Sequence, residues 1–207
     1  MEGRCLAVDQ ILQAARLNPR SSLLRGYTGA TLHYARRFED AARTYESLLR
    51  LDSQYTAAYI GLCKAYTELR RSNEALAACQ MVESKAAAED PFVLSQLVKI
   101  HTDAGHARDA QQAMTRLRAL YEGRPSGDGA FWIALAYVSL GDPSKALEWL
   151  DRAIDANSSR LAYARVDSRL DPLRSEPRFA IRMARIDRVA SAAVMIDTTS
   201  TQPAARR

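Results

Sequence analysis

The chain has 207 residues, 47% of them apolar and 26% charged, with three cysteines, nine glycines and seven prolines. That balance excludes an intrinsically disordered chain and a disulfide-dense mini-scaffold, and so few turn-forming residues argue for an all-α rather than an all-β fold. Twenty-nine basic residues face 24 acidic ones, a net charge of +5, too small an excess to imply a polyanionic partner by itself.

The N-terminal stretch MEGRCLAVDQ has no apolar core of signal-peptide length. The longest apolar run, Ala130 to Val138, is nine residues, against roughly 18–20 for a membrane span. A soluble, cytoplasmic protein with free thiols is therefore expected. The first predicted element is a helix with the stripe Ala7, Ile11, Ala14 and Leu17. A turn at Glu2-Gly3-Arg4 should precede it, and Asn18-Pro19 should end it.

Beyond that point the chain repeats. Ala7, Ala41, Ala75, Ala110 and Ala146 follow one another at intervals of 34, 34, 35 and 36 residues. Each of the last four opens a helical pattern after a polar turn: ARRFED, LRRSNE, AGHARD and LGDPSK. A helix–turn–helix period of 34 residues resembles the tetratricopeptide repeat. That family places apolar residues at repeat positions 4, 7, 8 and 11 on one helix and 20, 24 and 27 on the next. Repeats starting at Ser22, Thr56, Pro91 and Gly127 satisfy five, seven, six and seven of these. Gly105 and Gly141 stand where left-handed caps are expected. Asp90-Pro91 reads as a helix start.

The resemblance implies an all-α solenoid, a right-handed superhelix of helix–turn–helix repeats. Residues 1–21 would be the second helix of a truncated repeat. Residues 22–157 would be four repeats (22–55, 56–90, 91–126 and 127–157), 158–190 a capping segment and 191–207 a disordered tail. The missing partner of the first helix implies a longer protein upstream, self-association through the open face, or a shortened capping repeat.

After the repeats, Asp167, Leu170, Asp171, Pro172, Leu173, Arg174, Pro177, Arg178 and Phe179 resemble the closing segment of tetratricopeptide tails in bacterial winged-helix regulators, adenylate cyclases and serine/threonine kinases. Asp171-Pro172 should stop a helix. Ser175 should cap a last one carrying Phe179, Ile181, Met183, Ile186 and Val189.

The family binds protein or peptide along its concave surface. The resemblance places Tyr34, Ile60, Lys64, Phe92, Lys99 and Phe131 there. Position 5 is Gly26, Ile60, Ser95 and Phe131, a departure from members that clamp a C-terminal carboxylate with Lys or Asn. Cys63 and Cys79 fall on facing helices and read as small packing residues, with a disulfide or thiol switch as the alternative. His101 reads as a core residue and His106 as a turn residue. No Cys/His set has zinc spacing, and no nucleophile or phosphate-loop motif is present. No metal, cofactor or catalytic residue is expected. The nine Arg between Arg152 and Arg188 are interleaved with acids, so nucleic-acid binding remains only an alternative reading. The non-catalytic tail of a signalling enzyme is another.

Overall fold

In the computed structural model the described residues are 2–85 and 89–187, and the regular structure among them is all helical, joined by short turns. The α-helices are α1 (Glu2–Leu17), α2 (Ser22–Tyr34), α3 (Phe38–Leu51), α4 (Thr56–Glu68), α5 (Ser72–Lys85), α6 (Pro91–Asp103), α7 (Ala107–Gly123), α8 (Gly127–Ser139) and α9 (Pro143–Asp155). Two 3-10 helices, Ser159–Tyr163 and Ser168–Leu173, lead to α10 (177–187).

Helix starts follow local chemistry. Ser21, Asp90, Ser126 and Asp142 each accept a hydrogen bond from a backbone N–H of the first turn (Leu24, Phe92, Gly129 and Lys145). Pro91 and Pro143 stand in the first turn, where no N–H is needed. The turns inside the helix pairs are four copies of one device. Arg36, Arg70, Gly105 and Gly141 all have left-handed φ, between 57° and 75°. The next residue donates its N–H back over five residues, Arg37 to Leu32, Arg71 to Tyr66, His106 to His101 and Asp142 to Tyr137, as in a Schellman motif.

The helices pack pairwise, α2 on α3, α4 on α5, α6 on α7 and α8 on α9. First helices also touch their counterparts, α2 with α4, α4 with α6 and α6 with α8, which puts them on the inside of the stack. The recurring Ala41, Ala75, Ala110 and Ala146 are at most 1% exposed. A larger residue there would hold the paired backbones apart.

Three expectations are corrected. Glu2-Gly3-Arg4 is part of α1 rather than a turn before it. Asp171-Pro172 lies within the second 3-10 helix, whose short turns tolerate the proline. Helix α10 opens at Pro177 directly after Glu176, two residues beyond Ser175. On α1 the face toward α2 is Val8 and Leu12, while Ile11 and Ala14 are half-exposed and Leu17 is open. The expected tail 191–207 and the end of the capping segment fall outside the described residues.

Candidate functional site: the inner face and its own closing segment

The inner face is set by the first helices, and the chain itself covers much of it. After α9 the backbone reverses at Asn157, which has φ of 50°. Asp128, in the first turn of α8, then accepts from Ser158 Oγ at 2.7 Å, Ser159 N–H at 3.0 Å and Arg160 Nε at 3.2 Å. These bonds aim residues 158–174 back across the first helices.

The segment is anchored at each stage. Leu161, Ala164, Leu170 and Leu173 enter the core. Tyr163 stacks on Tyr34, ring centroids 5.1 Å apart and 13° from parallel. Arg160 and Arg169 lie over the Trp132 ring at 5.5 and 5.3 Å. Asp171 pairs with Arg36 in the first helix pair and with Arg174 at 2.7 Å. Thus 158–174 spans from the last repeat to the first.

Its centre is a buried ion pair. Arg169 donates from Nε at 3.1 Å and Nη2 at 2.9 Å to Asp167, and both side chains are under a tenth exposed. Burial pushes the Asp167 carboxyl up, but the Arg169 charge and hydrogen bonds outweigh it and hold it at about 2. Lys64 sits alongside, its ammonium 5.7 Å from the Tyr34 ring centroid and 5.5 Å from that of Phe92. Burial and the Arg169 charge lower it to about 8. Burial, aided by Asp167, pushes the Tyr34 phenol up to about 12.

The residues expected to line a groove therefore divide. Phe92 and Phe131 are interior, 6% and 1% exposed, and pack edge-on against Trp132. They are not exposed lining, because the inner face of the third and fourth repeats is core. Lys99 pairs with Asp103 at 2.9 Å beside Glu68 and Ser168. Tyr34 is covered by Tyr163. Ile60 and Lys64 border an open hollow of about 240 Å³ on the first two repeats. Leu23, Tyr27, Ala30 and Ala57 complete it, and Leu23 and Tyr27 are each 57% exposed.

Two further arrangements differ from the sequence reading. Cys63 and Cys79 form a disulfide between α4 and α5, in place of two free packing thiols. His101, His106 and Asp109 bring three possible metal-ligand atoms within 4.8 Å of one another. Their spacing in the sequence matches no zinc motif, and only the α6–α7 turn brings them together.

Two family models described as tetratricopeptide repeat match residues 32–91 and 96–160, together more than half of the chain. It is a tetratricopeptide repeat protein. Among solved structures the array is similar to YrrB, described as a tetratricopeptide protein with an unusual peptide-binding site, at 19% identity and a TM-score of 0.42 over 75% of this chain and 96% of that one. No curated protein matches this tetratricopeptide chain. Among its described residues no helix is long and apolar enough to cross a membrane.

Proposed function

We propose that this tetratricopeptide array is a non-catalytic scaffold that docks a protein segment on the inner face of its first two repeats. One observation carries the reading. The inner face is divided between a half filled by residues 158–174 and a half left open around Leu23, Tyr27, Ala30 and Ile60. The filled half displays the chemistry this surface accepts: a tyrosine stacked on Tyr34, leucines set into the core and a carboxylate beside Lys64. A partner continuing along the same track would place an apolar side chain in the hollow and an acidic group near Lys64.

Context within a larger protein belongs to the same proposal. The resemblance of residues 167–179 to closing segments of bacterial regulators favours a sensor or interaction module of a signalling protein. The coding sequence in frame upstream tests this, since a winged-helix, kinase or cyclase domain there would support it.

Docking is tested by selecting displayed random peptides on the purified protein. Peptides enriched on the wild type should lose binding at least tenfold on Ile60→Asp and Ala30→Arg. They should keep it on Thr115→Asp, on the exposed outer side of α7. Enrichment that ignores both groove substitutions, or no enrichment, would overturn the proposal.

A further inference from the structure

The turn between α6 and α7 differs chemically from its three counterparts. In each repeat a residue at the end of the first helix sits below two residues opening the second. The sets are Leu32 with Arg37 and Asp40, Tyr66 with Arg71 and Glu74, and Tyr137 with Asp142 and Lys145. In all three the outer two form an ion pair, at 2.6, 2.6 and 3.0 Å. The third repeat replaces the whole set with His101, His106 and Asp109.

The turn's geometry makes this replacement a convergence. Gly105, at φ 75°, reverses the chain, and the His106 N–H is bonded to the His101 carbonyl at 2.8 Å. The imidazoles therefore lie together, ring centroids 6.0 Å apart. Asp109 arrives one helical turn after His106 on the same side. Its carboxylate is 4.0 Å from His101 Nδ1. That Nδ1 is buried and, among the described residues, has no hydrogen-bond partner. A buried polar nitrogen without a partner is costly, and this one points to a missing neighbour in the cluster.

We infer that His101, His106 and Asp109 form a binding site for a divalent first-row transition ion, zinc above all. Two imidazoles and one carboxylate are borderline ligands suited to zinc, leaving a fourth position for water. Calcium or magnesium, which take oxygen ligands, are disfavoured. Zinc bonds of about 2.0–2.2 Å put tetrahedral ligand atoms about 3.4 Å apart. The three atoms here lie within 4.8 Å, so closure needs a shift of roughly 1.4 Å. His106 and Asp109 are exposed and can swing, whereas His101 is half-buried and fixed. The bound ion would staple the end of α6 to the start of α7.

The test uses untagged, chelator-stripped protein titrated calorimetrically with zinc chloride, and spectroscopically with cobalt(II). The expected result is one ion per chain, with visible cobalt bands typical of nitrogen and oxygen ligation. Loss of a direct ligand should cost at least what loss of its supporting groups does, so His106→Ala and Asp109→Asn should each weaken binding by about tenfold or more. Both sites are on the surface, and circular dichroism verifies that the variants fold. Glu122→Gln, at the far end of α7, should leave affinity unchanged. Absence of saturable binding, or affinity unaltered in His106→Ala and Asp109→Asn, would overturn the inference and leave an ordinary histidine–aspartate contact.

Discussion

Tyr45 shows how a single side chain sets what its neighbours can be. Its ring lies between α2 and α4, where a Cβ added at Gly29 or Gly61 would come within 2.6 or 2.2 Å of ring atoms. The ring is in the core, 5% exposed, so it has nowhere to retreat. Gly61→Ala should therefore destabilise the protein by about 1–3 kcal/mol by overpacking, despite the better helix propensity of alanine. A urea melt measures it, and an unchanged midpoint would contradict the wedge. His33 makes a pH prediction. Burial first, then the Lys64 charge, lowers it from 6.5 to about 3. Protonation is thus harder in the folded chain than in the unfolded one. Below pH 6.5 the unfolded chain takes up more protons, so the contribution present above that pH is lost as pH falls toward 3. The slope is about 1.4 kcal/mol per pH unit. His33→Phe should flatten the stability profile between pH 6.5 and 5, and an unchanged slope would show that His33 is not its source. The repeated turn was legible at this scale only where glycine marks it. Gly105 and Gly141 declare a left-handed residue, whereas Arg36 and Arg70 adopt the same conformation with nothing in their side chains to announce it.

Helices and their pairing were the most legible level, because apolar residues at helical spacing record which face is covered. Residues 158–174 were not, since short 3-10 turns leave no such period and their leucines read as the end of an array. A signal was nevertheless present in α8. Its run from Ala130 to Val138 is apolar all round, and a helix of that kind must be covered on every side. Residues Gly129 to Tyr137 are indeed all buried, against α9, against α6 of the preceding repeat and beneath the returning segment. Two predictions belong to elements. The disulfide joins α4 to α5 across 16 residues, and a loop of about that length restrains the unfolded chain by about 3 kcal/mol. Reduction should lower the denaturation midpoint accordingly, and the Cys63→Ala/Cys79→Ala double variant should become insensitive to reductant. A wild-type midpoint equal with and without reductant would contradict the bond. On α1, Ile11→Asp should cost little because the side chain is only half-covered, whereas Leu62→Ala on α4 should cost about 2–5 kcal/mol as a core truncation. Equal losses in thermal melts at matched concentration would show that the Ile11 face is covered after all.

At the scale of the whole molecule, the question is what becomes of the basic excess. Composition alone leaves +5, and the nine Arg between Arg152 and Arg188 could have formed a ridge for nucleic acid. The structure disposes of most of them one by one. Arg152 pairs with Glu148, Arg160 with Asp128, Arg165 with Asp187, Arg169 with Asp167, Arg174 with Asp171, Arg182 with Asp151 and Arg185 with Asp155. Arg169 is buried with its partner and out of reach of a phosphate. The other pairs, more exposed, add little to stability, but each holds an anion beside its guanidinium, where a phosphate would otherwise sit. A phosphate must then displace a carboxylate or approach against its charge. Binding to duplex nucleic acid should be weak, with Kd no tighter than the about 10⁻⁴–10⁻⁶ M of non-specific contacts at physiological salt. Affinity should also vary shallowly with salt, since each phosphate neutralised contributes about −0.9 to the logarithmic slope and few are available. Fluorescence anisotropy with a labelled random duplex, repeated across a salt series, measures both quantities. A sub-micromolar Kd with a slope near −5 would mean that about six cations meet phosphates together. The paired arginines would then have to exchange their carboxylates for the backbone of the duplex, and the inner face would no longer be the principal docking surface.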